Sequence, residues 1–600
     1  MGDEDPGRAG SVQGRTNNAT TETAWTWSEK VHEWEDPTLQ SIGKEPPHVP
    51  LFSYPTATAA LLGSASPHSE RCAPLGAGGV LPPCLEKWRS PVSERTACLN
   101  GEWDFRWSPI AEDAPISMIP DGSWSTIAVP ASIQTQGYGL PVYTNVQYPF
   151  PLAPGIQEGA PLHAQGLAAG KMPQQNEVGD YHREIELPEA WLEHSTALAT
   201  PLWQVFLIFE GVESCASVFI NGTRIGFTKD SRSPAEFNIT EQLRQRKGCR
   251  HSISVRTYRY SDGSLLEDQD HWRLSGIYRD VRLLCVPSSA AIRDFEVQAS
   301  AAGRLAISCN VVSYYAGVSG RALGGLELRA RLFPPDATSV AGLPLATMRV
   351  PVTFSDGTCA RGRAETITTT VTAEAQLAPE DLQLWSAESP TLYTCVLELM
   401  AVAPMQPQKQ PLHCEGCAVG FRTVELCPDG RGLIVNNQPV VIKGVNRHEH
   451  DPLLGKTVSV ESMLDDVLQL KRYNFNAVRT AHYPTHPVFL TICDVLGVFV
   501  CDEANIETHG LWTPDRGAVA NRMNGGRTAY HGAISGDSRW SLENEPDWAE
   551  AYLGRMRNVV ERDKNSPSVI MWSLGNEGAS NDMSLQPCAH VLFPRLLIVW

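Results

Sequence analysis

Four stretches toward the end of the sequence place ionisable or amide side chains directly after an apolar run: GVNRHEH (444–450), AVRTAHY (477–483), FVCDEANIETHG (499–510) and VIMWSLGNE (569–577). The last supplies Asn576-Glu577, a pair with a specific chemical use. Cleaving a glycosidic bond needs a carboxylic acid to protonate the leaving oxygen, and an adjacent amide can hydrogen-bond the sugar 2-hydroxyl as the transition state forms. A retaining reaction also needs a second carboxylate roughly 5 Å away as nucleophile. After Glu577 the sequence offers one acid, Asp582, too near in the chain to come from a later strand. Glu507 and His509 are two residues apart, so in extended backbone their side chains face the same way. With Glu577 they could hold a divalent ion through two carboxylates and an imidazole, water filling the other positions as Mg²⁺ prefers. Taken singly, a histidine after a strand more often serves a loop hydrogen bond, and an arginine there an ion pair. Four successive strands ending in such groups point to a site.

The elements that carry these groups alternate. Apolar strands expected at 440–446, 477–483, 498–505 and 569–577 are separated by amphipathic segments. One of these, 459–474, places Val460, Met463, Leu464, Val467, Leu468 and Leu470 on or near one face. Strand-helix alternation implies a parallel sheet. Four strands make the first half of a (β/α)₈ barrel, which typically takes ~250 residues. Upstream the period is that of β structure. Short alternating runs bounded by turns, such as WQVFLIFEGV and CASVFINGTRIGFTKD, predict a sandwich over 96–288. The Asn221-Gly222 turn has hairpin chemistry. A second sandwich of immunoglobulin type is expected over 289–425, and the partial barrel over 426–600. Residues 1–95, rich in Pro, Gly, Ser and Ala, read as an irregular, mobile or extended lead-in.

Composition narrows the function. Sixty-seven acidic against 49 basic residues give a net charge of −18, which excludes a phosphate-tracking nucleic-acid binder. The acidic N-terminus lacks a secretory h-region, and no run approaches the ~18 apolar residues of a membrane span, so a cytoplasmic protein without membrane partners is expected. Fifteen scattered cysteines suit reduced thiols, and the close pair Cys414 and Cys417 lacks a second pair to complete a zinc site.

The motifs WEDPTLQSIGKEPPHVPLFSY, LNGEW, LPVYTNVQYPF, KDSRSPAEF, YSDGSLLEDQDHWRLSGIYRDV, LQLWSAESPTLY, VGFRTVEL, GVNRHEH, NFNAVRTAHYPTHP, DEANIETHG and SPSVIMWSLGNE follow one another over most of residues 34–580. In this order they resemble the large β-galactosidases of glycoside hydrolase family 2. The resemblance implies a multidomain protein: a jelly-roll sugar-binding sandwich, an immunoglobulin-like sandwich and then a TIM barrel. It implies hydrolysis of terminal non-reducing β-D-galactose residues, as in lactose, by a retaining mechanism with Glu577 as acid/base. It places Asn576 on the sugar and makes Glu507, His509 and Glu577 the Mg²⁺ ligands. His448, His482 and Arg479 would line the galactose site. Asn145 and Asp230 would reach in from the first domain, Asp230 also beside a Na⁺ site whose other ligands belong to barrel sequence not present here.

Two departures stand against the pattern. Residues 511–548 are longer than the family's loop and read as a flexible excursion, and their Asn544-Glu545-Pro546 is treated as a decoy because no apolar strand precedes it. Similarity stops at about Ser584, so the nucleophile and the second half of the barrel are expected to be missing. The chain alone is then expected to be inactive unless a complementing chain supplies them; a homo-oligomer is the other partner state expected. A non-catalytic carbohydrate-binding remnant and a β-glucuronidase-like hydrolase are the competing readings. HEH in GVNRHEH, and NEG in place of NEP, favour the galactoside.

Overall fold

The computed structural model describes residues 32–65, 83–88, 93–151, 171–194, 202–314, 325–354, 366–402, 410–511, 542, 545–577 and 598–599, less 336 and 431. Three layers of architecture follow one another. The first is an antiparallel sandwich. Its seven-stranded sheet runs, in spatial order, Ser41–Ile42, Thr223–Thr228, Cys215–Ile220, Arg250–Tyr258, Val178–Glu186, Gly101–Ser108 and Ser125–Val129. The facing four-stranded sheet runs Ala235–Asn238, Trp203–Phe209, Val281–Pro287 and Thr96–Cys98. Alternate side chains of both sheets, including Trp103, Phe105, Tyr181, Leu207, Val218 and Val255, fill the space between them. Asn221 and Gly222 both take positive φ at the hairpin tip, as the Asn-Gly pair predicts.

The second sandwich packs Ala291–Ala299, Arg304–Ser313 and Ile367–Gln376 against Ala346–Val352, Leu326–Phe333, Tyr393–Ala401 and His413–Val419. Cys414 and Cys417 lie in the last of these strands and point to different clusters, Cys414 beneath the Ala57–Ser64 helix and Cys417 toward the sandwich core. They form no metal pair.

The third unit is a parallel sheet in the order Gly444–Asn446, Ala477–Arg479, Phe499–Glu503, Val569–Ser573, Ile598–Val599. The four expected strands are present but shorter than their apolar runs. Arg447, Thr480 and Ala504 each still donate to the neighbouring strand once before pairing stops, whereas past Ser573 the backbone leaves the sheet and Asn576 N–H bonds the Ile506 carbonyl. A fifth, two-residue strand, Ile598–Val599, pairs with the fourth, so the count of four was one too few. The helix expected at 459–474 spans Val460–Arg472, capped by the Ser459 hydroxyl on Ser462 N–H, with Met463, Leu464 and Val467 buried. Further helices span Pro487–Leu496 and Ala549–Asp563. At the outer edge, Val441 and Ile442 are exposed rather than buried as the apolar run suggested.

Where it is described the lead-in is neither free nor wholly irregular: between extended stretches it forms the Ala57–Ser64 helix, capped by the Thr56 hydroxyl on Ala59 N–H. Ser41–Ile42 joins the first sandwich, Val49 and Leu51 enter the core of the second, and Tyr54 bridges to Cys414. Its burial depends on distant partners, which is why no local periodicity announces it. The excursion at 511–548 lies largely outside the described residues. Glu545 opens a short turn, Pro546–Trp548, before the Ala549–Asp563 helix and ends no strand. Among the described residues, no helix is long and apolar enough to cross a membrane.

Candidate active site

The ends of the parallel strands converge. After the first, His448 Nδ1 lies 3.1 Å from the Tyr483 hydroxyl and its ring stands edge-on to His482 at 5.3 Å. Burial, with the neighbouring His482 and Arg232, pushes His448 down to about 4, so it is neutral near pH 7. Glu449 turns away from the mouth. It pairs with Arg279 of the first domain at 2.7 Å and accepts from Thr485 and the His486 N–H, a structural role.

The second strand ends in Arg479, which grips the fully buried Glu503 at the end of the third through Nε (2.6 Å) and Nη2 (2.9 Å). His482 Nδ1 meets the same carboxylate at 2.8 Å. Burial would raise the Glu503 proton affinity, but His482 and Arg479 outweigh it and hold the carboxyl below its usual range. Arg479 Nη2 also donates to Asn576 Oδ1 at 3.1 Å, so one buried carboxylate orients an arginine, a histidine and, through the arginine, the amide beside Glu577.

The fourth strand stops at Ser573, and Gly575 makes the turn at φ +148. A Cβ there would lie 2.5 Å from the Ile506 carbonyl oxygen, so the glycine of GNE is required by close approach as well as by its backbone angle. Asn576 N–H then donates to that same carbonyl at 2.9 Å. This places Glu577 beside the 507–509 segment, its Oε2 2.6 Å from His509 Nδ1.

Glu507, His509 and Glu577 each offer a ligand atom within 4.8 Å of the others. Both Glu507 oxygens are buried without a hydrogen bond of standard geometry. Burial, and the charges of Glu577 and Asp268, push this carboxyl up to about 9 even though the Asn576 amide tempers it. Two carboxylates that repel one another, with an imidazole beside them, suit a hard divalent cation, so the donor set fits Mg²⁺.

The first domain closes over this mouth. Asp230 is brought to it, but its oxygens accept from Asn558 (2.8 Å) and Asn505 (3.2 Å), joining the domains. Asn145 is exposed, and the next residue, Val146, faces Gly510. Thus Asn576, Glu577, Glu507, His509, Arg479, His482 and His448 share one mouth, with Asp230 behind it and Asn145 at its rim. Sequence reasoning did not assign a role to Glu503, Tyr483 or Asp268. Glu503 was visible as a strand-end acid, and Asp268 lay in the LEDQDHW motif of a distant domain. Tyr483 carried no local signal.

Comparison with known proteins decides the family. Residues 96–287 match the glycosyl hydrolases family 2 sugar binding domain, and residues 428–591 match the TIM barrel domain of the same family. The chain belongs to glycoside hydrolase family 2. A relative from Psychromonas ingrahamii, named beta-galactosidase, is 37% identical over 491 residues, which cover 81% of this chain and 40% of that protein. The chain therefore spans well under half the length of this curated relative. A putative beta-galactosidase from Bacteroides fragilis shares the fold with a TM-score of 0.57 at 19% identity, covering 84% of this chain and 63% of that one. A beta-glucuronidase from Bacteroides uniformis does so with a TM-score of 0.56 at 21% identity, covering 80% and 46%.

Proposed function

We propose that this family 2 chain forms the sugar-binding and acid/base side of a retaining β-galactosidase acting on terminal non-reducing β-D-galactose residues, lactose among them. The observation that carries it is Glu577 at the end of the fourth strand, with Asn576 fixed by Arg479 beside it. Glu577 is the acid/base that protonates the leaving oxygen and then takes a proton from water. Asn576 bonds the 2-hydroxyl, and His448, His482, Arg479, Asn145 and Asp230 shape the galactose site. Mg²⁺ held by Glu507, His509 and Glu577 would neutralise their repulsion and fix Glu577, and Na⁺ would sit beside Asp230. The two sandwiches are read as jelly-roll and immunoglobulin-like.

Galactose is favoured over glucuronate by charge. Glu503 lies at the base of the mouth already paired to Arg479, so a substrate carboxylate would have to compete with an acid already in place for that arginine. Of the gathered carboxylates, Glu503 is engaged by Arg479 and His482, and Glu507 belongs to the cation cluster. The nucleophile is therefore proposed to come from outside the described residues.

The test is turnover of 4-nitrophenyl β-D-galactoside and β-D-glucuronide by the chain, alone and mixed with the unmatched part of the Psychromonas ingrahamii relative. The expected result is galactoside turnover only in the mixture, abolished by Glu577→Gln. Turnover by the chain alone would overturn the external nucleophile, and preference for the glucuronide would overturn the substrate.

A further inference from the structure

Glu507 and His509 lie past the end of the third strand at Glu503, so the parallel sheet does not hold them. The first domain does. Glu507 N–H donates to the Leu266 carbonyl at 2.7 Å, and Asp268 N–H donates to the Glu507 carbonyl at 3.1 Å, a two-residue bridge between domains. Gly510 N–H, directly after His509, donates to Asp268 Oδ2 at 2.7 Å. Asp268 Oδ1 takes Arg273 Nη2 at 2.7 Å, so the carboxylate is held at both oxygens. Gly510 is pressed from the same side. A Cβ on it would come 2.7 Å from the Val146 carbonyl oxygen, 2.8 Å from Asp268 Oδ2 and 2.9 Å from the Tyr148 ring. Tyr148 is tied in turn to the Leu265 carbonyl at 2.9 Å.

We propose that Asp268 is a positioning residue for the cation cluster, fixing the His509–Gly510 turn from the sugar-binding domain and thereby setting the divalent-cation affinity of Glu507, His509 and Glu577. This rests on reading those three residues as a cation site. Groups that orient metal ligands from behind typically govern about 10–100-fold in affinity. A purely structural Asp268–Arg273 ion pair would instead lower stability and leave affinity alone.

The experiment is Mn²⁺ affinity of the full chain by titration calorimetry, with melting temperature recorded for every variant. Asp268→Ala is expected to weaken Mn²⁺ about tenfold. Asp268→Asn, which can still accept the Gly510 N–H but leaves Arg273 without its carboxylate, weakens it by less than Asp268→Ala does. Glu507→Gln removes binding. Asp262→Asn, which disrupts the buried Lys229 pair upstream in the same loop without touching 507–510, lowers stability and leaves affinity unchanged. Wild-type affinity in both Asp268 variants, with Glu507→Gln inactive in binding, overturns the inference while sparing the cation site. Equal weakening in Asp262→Asn overturns it as well. No Mn²⁺ binding by the wild type removes the cation site and the inference together. If Asp268→Ala fails to fold, Asp268→Asn decides alone.

Discussion

At the residue scale, Glu503 shows how one buried charge organises a polar site. Its oxygens meet Arg479 and His482, and Arg479 passes the constraint to Asn576. Glu503→Gln keeps the shape but weakens three charge-assisted bonds, so a loss of about 1–3 kcal/mol is expected in urea unfolding. The pH dependence has a definite sign. Because the folded protein holds this carboxyl below its usual range, its contribution to stability is present above about pH 4.3 and is lost as pH falls through the folded value. Glu503→Gln should therefore flatten the acid limb of a stability profile measured from pH 6 to 3. An unchanged acid limb would mean that Arg479 and His482 do not hold the charge.

At the scale of elements, the Leu574–Asn576 turn aims Glu577 and depends on Gly575. Gly575→Ala adds a Cβ against the Ile506 carbonyl at a backbone angle unsuited to alanine, with an expected cost of about 1–3 kcal/mol and loss of Mn²⁺ binding. Calorimetry of that variant with wild-type affinity would show that the turn relaxes without moving Glu577. The strands and the Val460–Arg472 helix were legible in the sequence because each buries one face, and burial leaves a period. Strand lengths were less so. Asn446, Arg479, Glu503 and Ser573 end their strands although residues of strand character continue; past Ser573 the backbone finds its partner outside the sheet, as Asn576 does at Ile506. Leu51 and Tyr54 were illegible for a related reason: their partners lie in other domains. The candidate site was legible as types and order of residues. Its dependence on Asp268 was not, because no local pattern records a contact across 242 positions.

For the whole molecule, the parallel unit does not complete its own core. Phe150, Tyr260, Leu265 and Leu266 of the first domain and Trp385 of the second pack with its Val478, Phe489, Val500 and Ile570. Buried polar bridges fix the register of this packing: Arg279 to Glu449, Arg555 to Glu267 and Asn558 to Asp230. Removing one partner strands a buried charge, so Arg279→Met is expected to cost about 3–5 kcal/mol and to loosen the first domain from the strand ends. Limited proteolysis should then cut near the junction at 287–291 faster than in the wild type. The same interlock brings Asn145, Asp230 and Asp268 to the mouth that holds Asn576 and Glu577. On the proposed function, this shared mouth takes galactose in preference to glucuronate. Titration calorimetry of the chain with a galactose-configured iminosugar and its glucuronate-configured counterpart tests it most directly. The expected result is galactose-configured binding at least about tenfold tighter, roughly 1.4 kcal/mol; no binding, or equal or tighter binding of the glucuronate-configured compound, would contradict it.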